Sequence, residues 1–324
     1  AEHGVKMEAA KFRSTITDSA TSWVGHRRSY ANSYSSPVVL GQVMTTNDED
    51  FSTFWSRGAA RPEIPSPTEL YVGKHVGQDP DTIRANEIIG YIVMESGSGT
   101  IDGREYLVGV GADTVVGPDG GAPVSYDISG LATVSTAIVT GAGMDGTDGG
   151  WAVLYGTTPV SANQLQLAFD EDRLRDAERW HTTEQVSYLV FEGPEGPMLR
   201  HGQVSGVSNT QWTQVTLDHF YQSMVAVVTP VYADGSPPVV TRIRNAAGTT
   251  FEVQVQRADG STDPVDGIDV YYTVVEEGVY SEAEHGVKME AVKFRSTLTD
   301  SATSWVGHRR SYANSYSSPV VLGQ

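Results

Sequence analysis

Acidic and amide side chains cluster in two turns of this chain, where their oxygens could coordinate a calcium ion. The two turns read "TTNDEDF" and "MDGTDGG". Calcium takes about six to eight oxygen ligands from carboxylates, amides and backbone carbonyls. Neither turn has the ligand spacing of an EF-hand loop, so they predict either a calcium site or solvated polar turns between strands. The candidate ligands are Asn47, Asp48, Asp50, Asp145 and Asp148.

Three aromatic residues occupy corresponding places along the chain and could stack against sugar rings. They are Trp23 in "TSWVGH", Tyr126 in "VSYDIS" and Trp212 in "TQWTQVTL". A large ring that recurs at the same place is also what core packing uses, because aromatic side chains bury so much apolar area. The pattern therefore favours packing residues and leaves sugar stacking as the alternative.

The sequence contains no pattern that is typical of a catalytic site. It has no cysteine, which excludes disulfides, thiolate nucleophiles and thiolate metal ligands. Its eight histidines form no H-E-x-x-H pair, and no G-x-S-x-G elbow occurs. The segment "GAGMDG" at Gly141–Gly146 has the glycine spacing of a dinucleotide loop, but a glycine pair and an apolar strand follow it instead of a helix. We therefore expect no enzymatic activity, no catalytic residue and no organic cofactor.

The charge of the chain argues against nucleic acid as a partner. Forty acidic and 22 basic residues give a net charge of −18, and the dense basic stretch "GHRR" at Gly25–Arg28 recurs only in the repeat described below. A phosphate-binding surface needs clustered lysine and arginine. No apolar run approaches the roughly 18 residues of a membrane-spanning helix, so membrane insertion is not expected either. The acidity is typical of a solvated surface in a salty or calcium-containing medium.

Apolar runs recur along the chain in a way that predicts three similar sets of strands. "NEIIGYIVMESG", "TEQVSYLVFEGP" and "GIDVYYTVVEEG" each place a tyrosine in an apolar run that ends in glutamate; these glutamates are Glu95, Glu192 and Glu276. A second apolar run precedes each one, in "SSPVVLGQV", "VSTAIVTG" and "YQSMVAVVTPVY". Phe251, Val253 and Val255 alternate with polar residues, as expected of a half-buried strand.

These recurrences predict an all-β protein of tandem antiparallel β-sandwich domains, three complete and a fourth partial. The predicted boundaries are 1–96, 97–195, 196–282 and 283–324. Three prolines make Ser56–Glu69 a surface loop, because proline is excluded from central strands. Asp170–Trp180 is the one helical candidate, and its charges are equally typical of a loop.

The strand pattern of the second and third units resembles the H-type lectin-like sandwich of snail agglutinins and modular bacterial proteins. The residues that carry the resemblance are "MVAVVTPVYADGSPPVVTRIRNAAGTTFEVQVQ" and "HTTEQVSYLVFEG". The first unit is similar only through "SPVVLGQV" and "IIGYIVME". The resemblance implies a β-sandwich fold, and it makes carbohydrate a candidate partner without assigning sugar-binding residues.

The first 42 residues recur almost unchanged at the other end of the sequence. The two copies start at Ala1 and Ala283, 282 positions apart, and differ only at Ala10/Val292 and Ile16/Leu298. Both differences are apolar exchanges, which favours side chains that face a core. The second copy holds only the first strands of a sandwich, so its open edges predict either continuation of the chain or completion by another chain.

This long repeat favours a protein that assembles linearly with itself. Our leading hypothesis is a structural segment of a giant extracellular filament, stalk or adhesin, located outside the cell or at its surface, built through head-to-tail sandwich contacts. The alternative is a multivalent carbohydrate-binding protein, in which repetition raises avidity.

Overall fold

The computed structural model describes residues 5–20, 22–196 and 199–280, and their regular secondary structure consists almost entirely of β-strands in mainly antiparallel sheets. The all-β prediction is therefore confirmed. The predicted partial unit at 283–324 lies outside the described residues. Within the described ranges there is no α-helix, only a single 3-10 turn at Pro118–Gly120, and hence no helix that is long and apolar enough to cross a membrane. The helical candidate after Asp170 is a loop.

The strands fall into three successive sets, which we call the first, second and third strand groups. The first group contains β1 (Met7–Ser14), β2 (Thr17–Asp18), β3 (His26–Arg28), β4 (Pro37–Val43), β5 (Thr53–Arg57), β6 (Leu70–His75) and β7 (Glu87–Glu95). The second contains β8 (Gly97–Ile101), β9 (Arg104–Val110), β10 (Val124–Asp127), β11 (Thr136–Gly141), β12 (Trp151–Tyr155), β13 (Val160–Ser161), β14 (Gln164–Asp170) and β15 (Val186–Phe191). The third contains β16 (Leu199–Val207), β17 (Thr213–Tyr221), β18 (Met224–Tyr232), β19 (Val239–Arg257), β20 (Ile268–Glu276) and β21 (Gly278–Tyr280).

The same strand order recurs in each group. One sheet runs β1-β7-β4 in the first group, β9-β15-β11 in the second and β16-β20-β18 in the third. The facing strands are β3-β6-β5, then β10-β14-β12, then β17 against β19. The long strand β19 bends at Asn245, and side chains of its two arms meet where Arg244 pairs with Glu252 at 2.8 Å. Its two arms thereby correspond to β5 and β6.

Apolar side chains fill the space between the facing sheets, as the alternation of strand residues dictates. Phe251, Val253 and Val255 are fully buried, as their spacing predicts. One core cluster is shared by all three groups, through Leu40 on β4, Ile138 on β11 and Val227 on β18. The groups are therefore joined by a common apolar core, which excludes a string of separate beads within this part of the chain.

Candidate functional site

Strands β4, β11 and β18 lie beside one another at the centre of the molecule. Each is the last strand in the sheet order given above for its group. The buried Thr229 hydroxyl accepts a hydrogen bond from the Val139 N–H at 3.0 Å and lies 3.3 Å from the Val139 carbonyl. The Thr140 hydroxyl in turn donates to the Val39 carbonyl at 3.1 Å. These bonds satisfy buried polar groups and fix the register of one group against the next.

The centre of the molecule is closely packed. A cavity of about 30 Å³ remains between the groups, lined by residues of all three, among them Gln42, Thr140 and Pro230. This is about the volume of one water molecule in the liquid. The central strands therefore form an assembly contact, and this cavity is too small for a sugar.

The loop after β11 packs on the first group. Gly143 N–H donates to the Ser56 carbonyl at 2.8 Å, and the guanidinium of Arg61 donates back to the Gly146 carbonyl. His75 Nε2 lies 2.9 Å from the Gly150 carbonyl while its Nδ1 accepts the Gly77 N–H, an arrangement that requires the neutral ring. Burial lowers the pKa of His75 to about 4, which agrees with that neutral state.

The loop after β18 packs on the second group in a corresponding way. Strands β12 and β18 pair in parallel where Leu154 faces Val231, and the Gly156 N–H donates to the Tyr232 carbonyl at 2.8 Å. Arg179 of the second group reaches across to the Ser236 carbonyl at 2.6 Å. The second and third groups therefore share hydrogen-bonded backbone as well as side-chain contacts.

The loop after β4 completes the set by packing on the third group. Buried Arg242 donates to the Asp48 carbonyl at 2.8 Å, and Gln42 donates to the Thr241 carbonyl at 3.1 Å. The second group therefore docks on the first, the third on the second, and the first on the third. Head-to-tail contacts of this kind either close into a ring or continue as a filament. Here they close, and the three strand groups form a ring.

The strands that follow β7 and β20 add two further joints to this ring. After β7, strand β8 pairs with β9 of the second group, so that Gly97 faces Val108. After β20, strand β21 pairs with β1 of the first group, so that Gly278 faces Ala9. Gly97 and Gly278 lie two positions after the corresponding glutamates Glu95 and Glu276. The passage from the third group to the first thus repeats the passage from the first to the second.

A buried histidine between two glutamates supports the loop after β11. His181 Nδ1 lies 2.8 Å from Glu171 and its Nε2 lies 3.0 Å from Glu184, with all three side chains almost fully buried. Burial lowers the pKa of His181, but its bonds to the two carboxylates outweigh this and raise the pKa to about 9. Burial raises the pKa of Glu171 to about 7, against the opposing hydrogen bond from His181. Glu184 also accepts the N–H groups of Asp145 and Gly146, so the pair of His181 and Glu184 holds the loop in place.

A glutamate plays the corresponding part in the first group. The Glu87 carboxylate accepts the N–H groups of Asn47 and Asp48 at 3.2 and 3.0 Å. The Asp48 carboxylate itself accepts the N–H of Ala85 at 2.6 Å. Both acidic turns are thus fixed by a glutamate at or just before the start of β7 or β15, about 40 residues further along the chain.

The structure separates the five predicted calcium ligands into these two turns. Asn47 and Asp48 donate their N–H groups to Glu87, and the Asp50 N–H donates to the Asp48 carboxylate. In the other turn the Asp145 N–H donates to Glu184, and Asp148 accepts the Gln78 side chain at 2.8 Å. In the part of the chain that the structure describes, the carboxylates close enough to share an ion are Glu171, Asp176 and Glu178. None of the five predicted residues belongs to that group, and calcium binding stays a prediction from the sequence.

The three predicted aromatic residues lie in different surroundings. Trp23 is buried edge-on against Trp55, with a centroid separation of 5.2 Å. Tyr126 is buried and donates to the Ala112 carbonyl at 2.6 Å. Trp212 is partly exposed, and the guanidinium of Arg244 covers one face of its ring at 4.2 Å. Core packing accounts for the positions of the first two.

No protein-family model, curated protein or solved structure matches this chain. The function is therefore argued from the contacts within the molecule.

The sequence patterns missed most of the residues that join the groups. Thr229, Thr140 and Gln42 make their contacts with backbone carbonyls or N–H groups, which leave no pattern of residue types in a sequence. The one available signal was the proximity of His181 to Glu184 within "HTTE", at a spacing that brings the two side chains into contact.

Proposed function

We propose that this chain is a structural repeat segment of a giant extracellular filament, stalk or adhesin. The observation that carries the proposal is the near-identity of residues 1–42 and 283–324, which sets a period of 282 residues. A period of this length contains one copy of each strand group. Each period is then one closed ring, and successive rings are the elements of the linear structure.

The contacts of the ring support this arrangement. Head-to-tail contacts between the groups are used within the ring, so they are not available to extend a chain of single groups. Strands β1 and β21 lie side by side, with Met7 facing Tyr280. The polypeptide thus enters and leaves the ring at neighbouring points, and one ring follows the next without a long connection.

The surface charge also favours this function. The chain carries a net charge of −18, which favours the solubility of a long polypeptide. Apolar contacts are made inside the ring rather than on its outer faces, where few large apolar side chains are exposed. A location outside the cell or at its surface fits such an acidic, repetitive chain.

The mass of the native parent polypeptide tests this proposal. We expect a mass of many times the 34.8 kDa of the present chain, because several 282-residue periods follow one another. A parent polypeptide of the present size would contradict the proposal.

Carbohydrate binding is the second candidate function, and one cavity favours it. An open cavity of about 410 Å³ lies beside the loop between β3 and β4, lined by polar and aromatic side chains that include Arg27, Tyr30 and Thr68. Sugar sites combine such rings with hydrogen-bonding groups. Thr68 is exposed at this cavity. Binding of the chain to sugars on a glycan panel, and loss of that binding in Thr68→Arg, would favour this function. If the chain binds no sugar on the panel, the structural function is the one candidate that remains.

A further inference from the structure

Contacts on three sides hold β1 in its place beside β21. Along its other edge β1 pairs with β7, and Met7 and Ala9 enter the core shared by all three groups. Glu277 accepts the Lys11 N–H at 3.0 Å, and the Asn32 side chain donates to the carbonyls of both Met7 and Tyr280. The first copy of the repeated segment therefore completes the first group and its joint with the third.

Every first-copy side chain that makes these contacts recurs in the second copy. Met7, Ala9 and Asn32 correspond to Met289, Ala291 and Asn314. The core residues Tyr34, Val38, Val39 and Leu40 correspond to Tyr316, Val320, Val321 and Leu322. The place beside β21 and β7 therefore fits either copy.

The two differences between the copies fall at partly buried positions. Ala10 and Ile16 are both partly buried, and Ala10 packs against the core cluster of the first group. Valine in place of Ala10 adds apolar contact at a half-exposed position, and leucine in place of Ile16 conserves volume. Neither exchange removes a hydrogen bond, because both residues bond only through their backbone.

The connection between β21 and the second copy is also short. In the hairpin of β8 and β9, the facing residues Gly97 and Val108 are 11 positions apart. Gly278 and Ala291, which would face each other in the same register, are 13 positions apart. A short connection of this kind adds little loop-closure entropy, so the spacing allows the second copy to reach the place beside β21.

We propose that residues 287–324 exchange with residues 5–42 in the first strand group, taking the place of β1 to β4 beside β21 and β7. The displaced first copy then completes the first group of a neighbouring ring, so that rings are linked by exchanged strands. This inference rests on the proposed structural function and names the contact that joins its elements. The partner is a second copy of this chain or the next period of the same polypeptide.

Introduced cysteine pairs in the full chain test the exchange, because the native sequence has no cysteine. One variant combines Gly278→Cys with Ala9→Cys, and the matched variant combines Gly278→Cys with Ala291→Cys. Facing residues of antiparallel strands lie close enough for a disulfide. Gly278 accepts a side chain, since an added Cβ would meet its nearest neighbour, the ring of Tyr280, only at 3.7 Å. Ser129→Cys with Ala291→Cys is the control for random collision, because Ser129 is exposed and distant along the chain.

Oxidised samples are compared by mass under non-reducing conditions. We expect disulfides in both Gly278 variants, within or between chains, at yields within a few-fold of each other, and none in the Ser129 control. A disulfide in the Ala9 variant alone would overturn the exchange, because it would show the place beside β21 held by the first copy only. The proposed function would survive that result if the parent polypeptide still has a multiple-period mass.

Discussion

Replacing Arg179 with methionine is expected to destabilise the folded chain by about 3–5 kcal/mol. Arg179 Nε and Nη2 donate to the two oxygens of Asp170 at 2.7 and 2.8 Å, and both side chains are buried. Burial raises the pKa of Asp170, so without its partner this carboxylate must either stay charged in an apolar site or take up a proton. The variant also loses the bond from Arg179 to Ser236, which joins the second and third groups.

Urea denaturation at neutral pH measures this effect. The matched control is Arg27→Met, which removes a similar paired bond to Glu69 at the surface and should leave the unfolding midpoint unchanged. The double variant Asp170→Leu with Arg179→Met should be more stable than Arg179→Met alone, because no unpaired charge remains buried. Equal midpoints for Arg179→Met and Arg27→Met would contradict the assignment of a buried, structural ion pair.

Replacing His181 with glutamine is expected to cost a similar amount at pH 7. The neutral amide leaves Glu171 and Glu184 buried side by side without a compensating charge. The native chain should also lose stability as the solution becomes alkaline. The pKa of His181 is about 9 in the folded chain against 6.5 for a free histidine, so its contribution is complete below pH 6.5 and is lost as the pH rises through about 9.

The pH effect amounts to about 3 kcal/mol and is measured by urea denaturation between pH 6 and about pH 9.5. The pKa of Glu171, which burial raises to about 7, acts in the same direction, because its ionisation also costs stability as the pH rises. His219→Gln is the matched control, since His219 is exposed and its variant should follow the native pH profile. An unfolding midpoint of the native chain that stays constant over this range would contradict the charged state of His181.

The strands were predictable because they bury one face or both. The runs around Tyr91, Tyr188 and Tyr272 coincide with β7, β15 and β20, and the residues at period two around Val253 are buried as expected. The similarity of these runs to one another predicted that the arrangement recurs, whereas the strand order itself is known only from the structure. The fold class was therefore predictable from the local pattern of apolar residues.

Closure of the ring was not predictable from the same patterns. It depends on contacts such as Thr229 with Val139 and Arg242 with Asp48, which join side chains to backbone groups about 90 or 194 positions away. The acidic turns show the same limit. Their aspartates attract attention in the sequence, but the residues that fix them are Glu87 and Glu184, which no local spacing connects to them.

The central claim is that each 282-residue period is one element of a linear structure. Electron microscopy of the native material tests this claim most directly. We expect fibres or stalks with a regular axial repeat, in which each repeat accounts for the mass of a whole number of periods and each period has the outline of a compact ring with three lobes. Discrete small particles of single-chain mass without an axial repeat would contradict it.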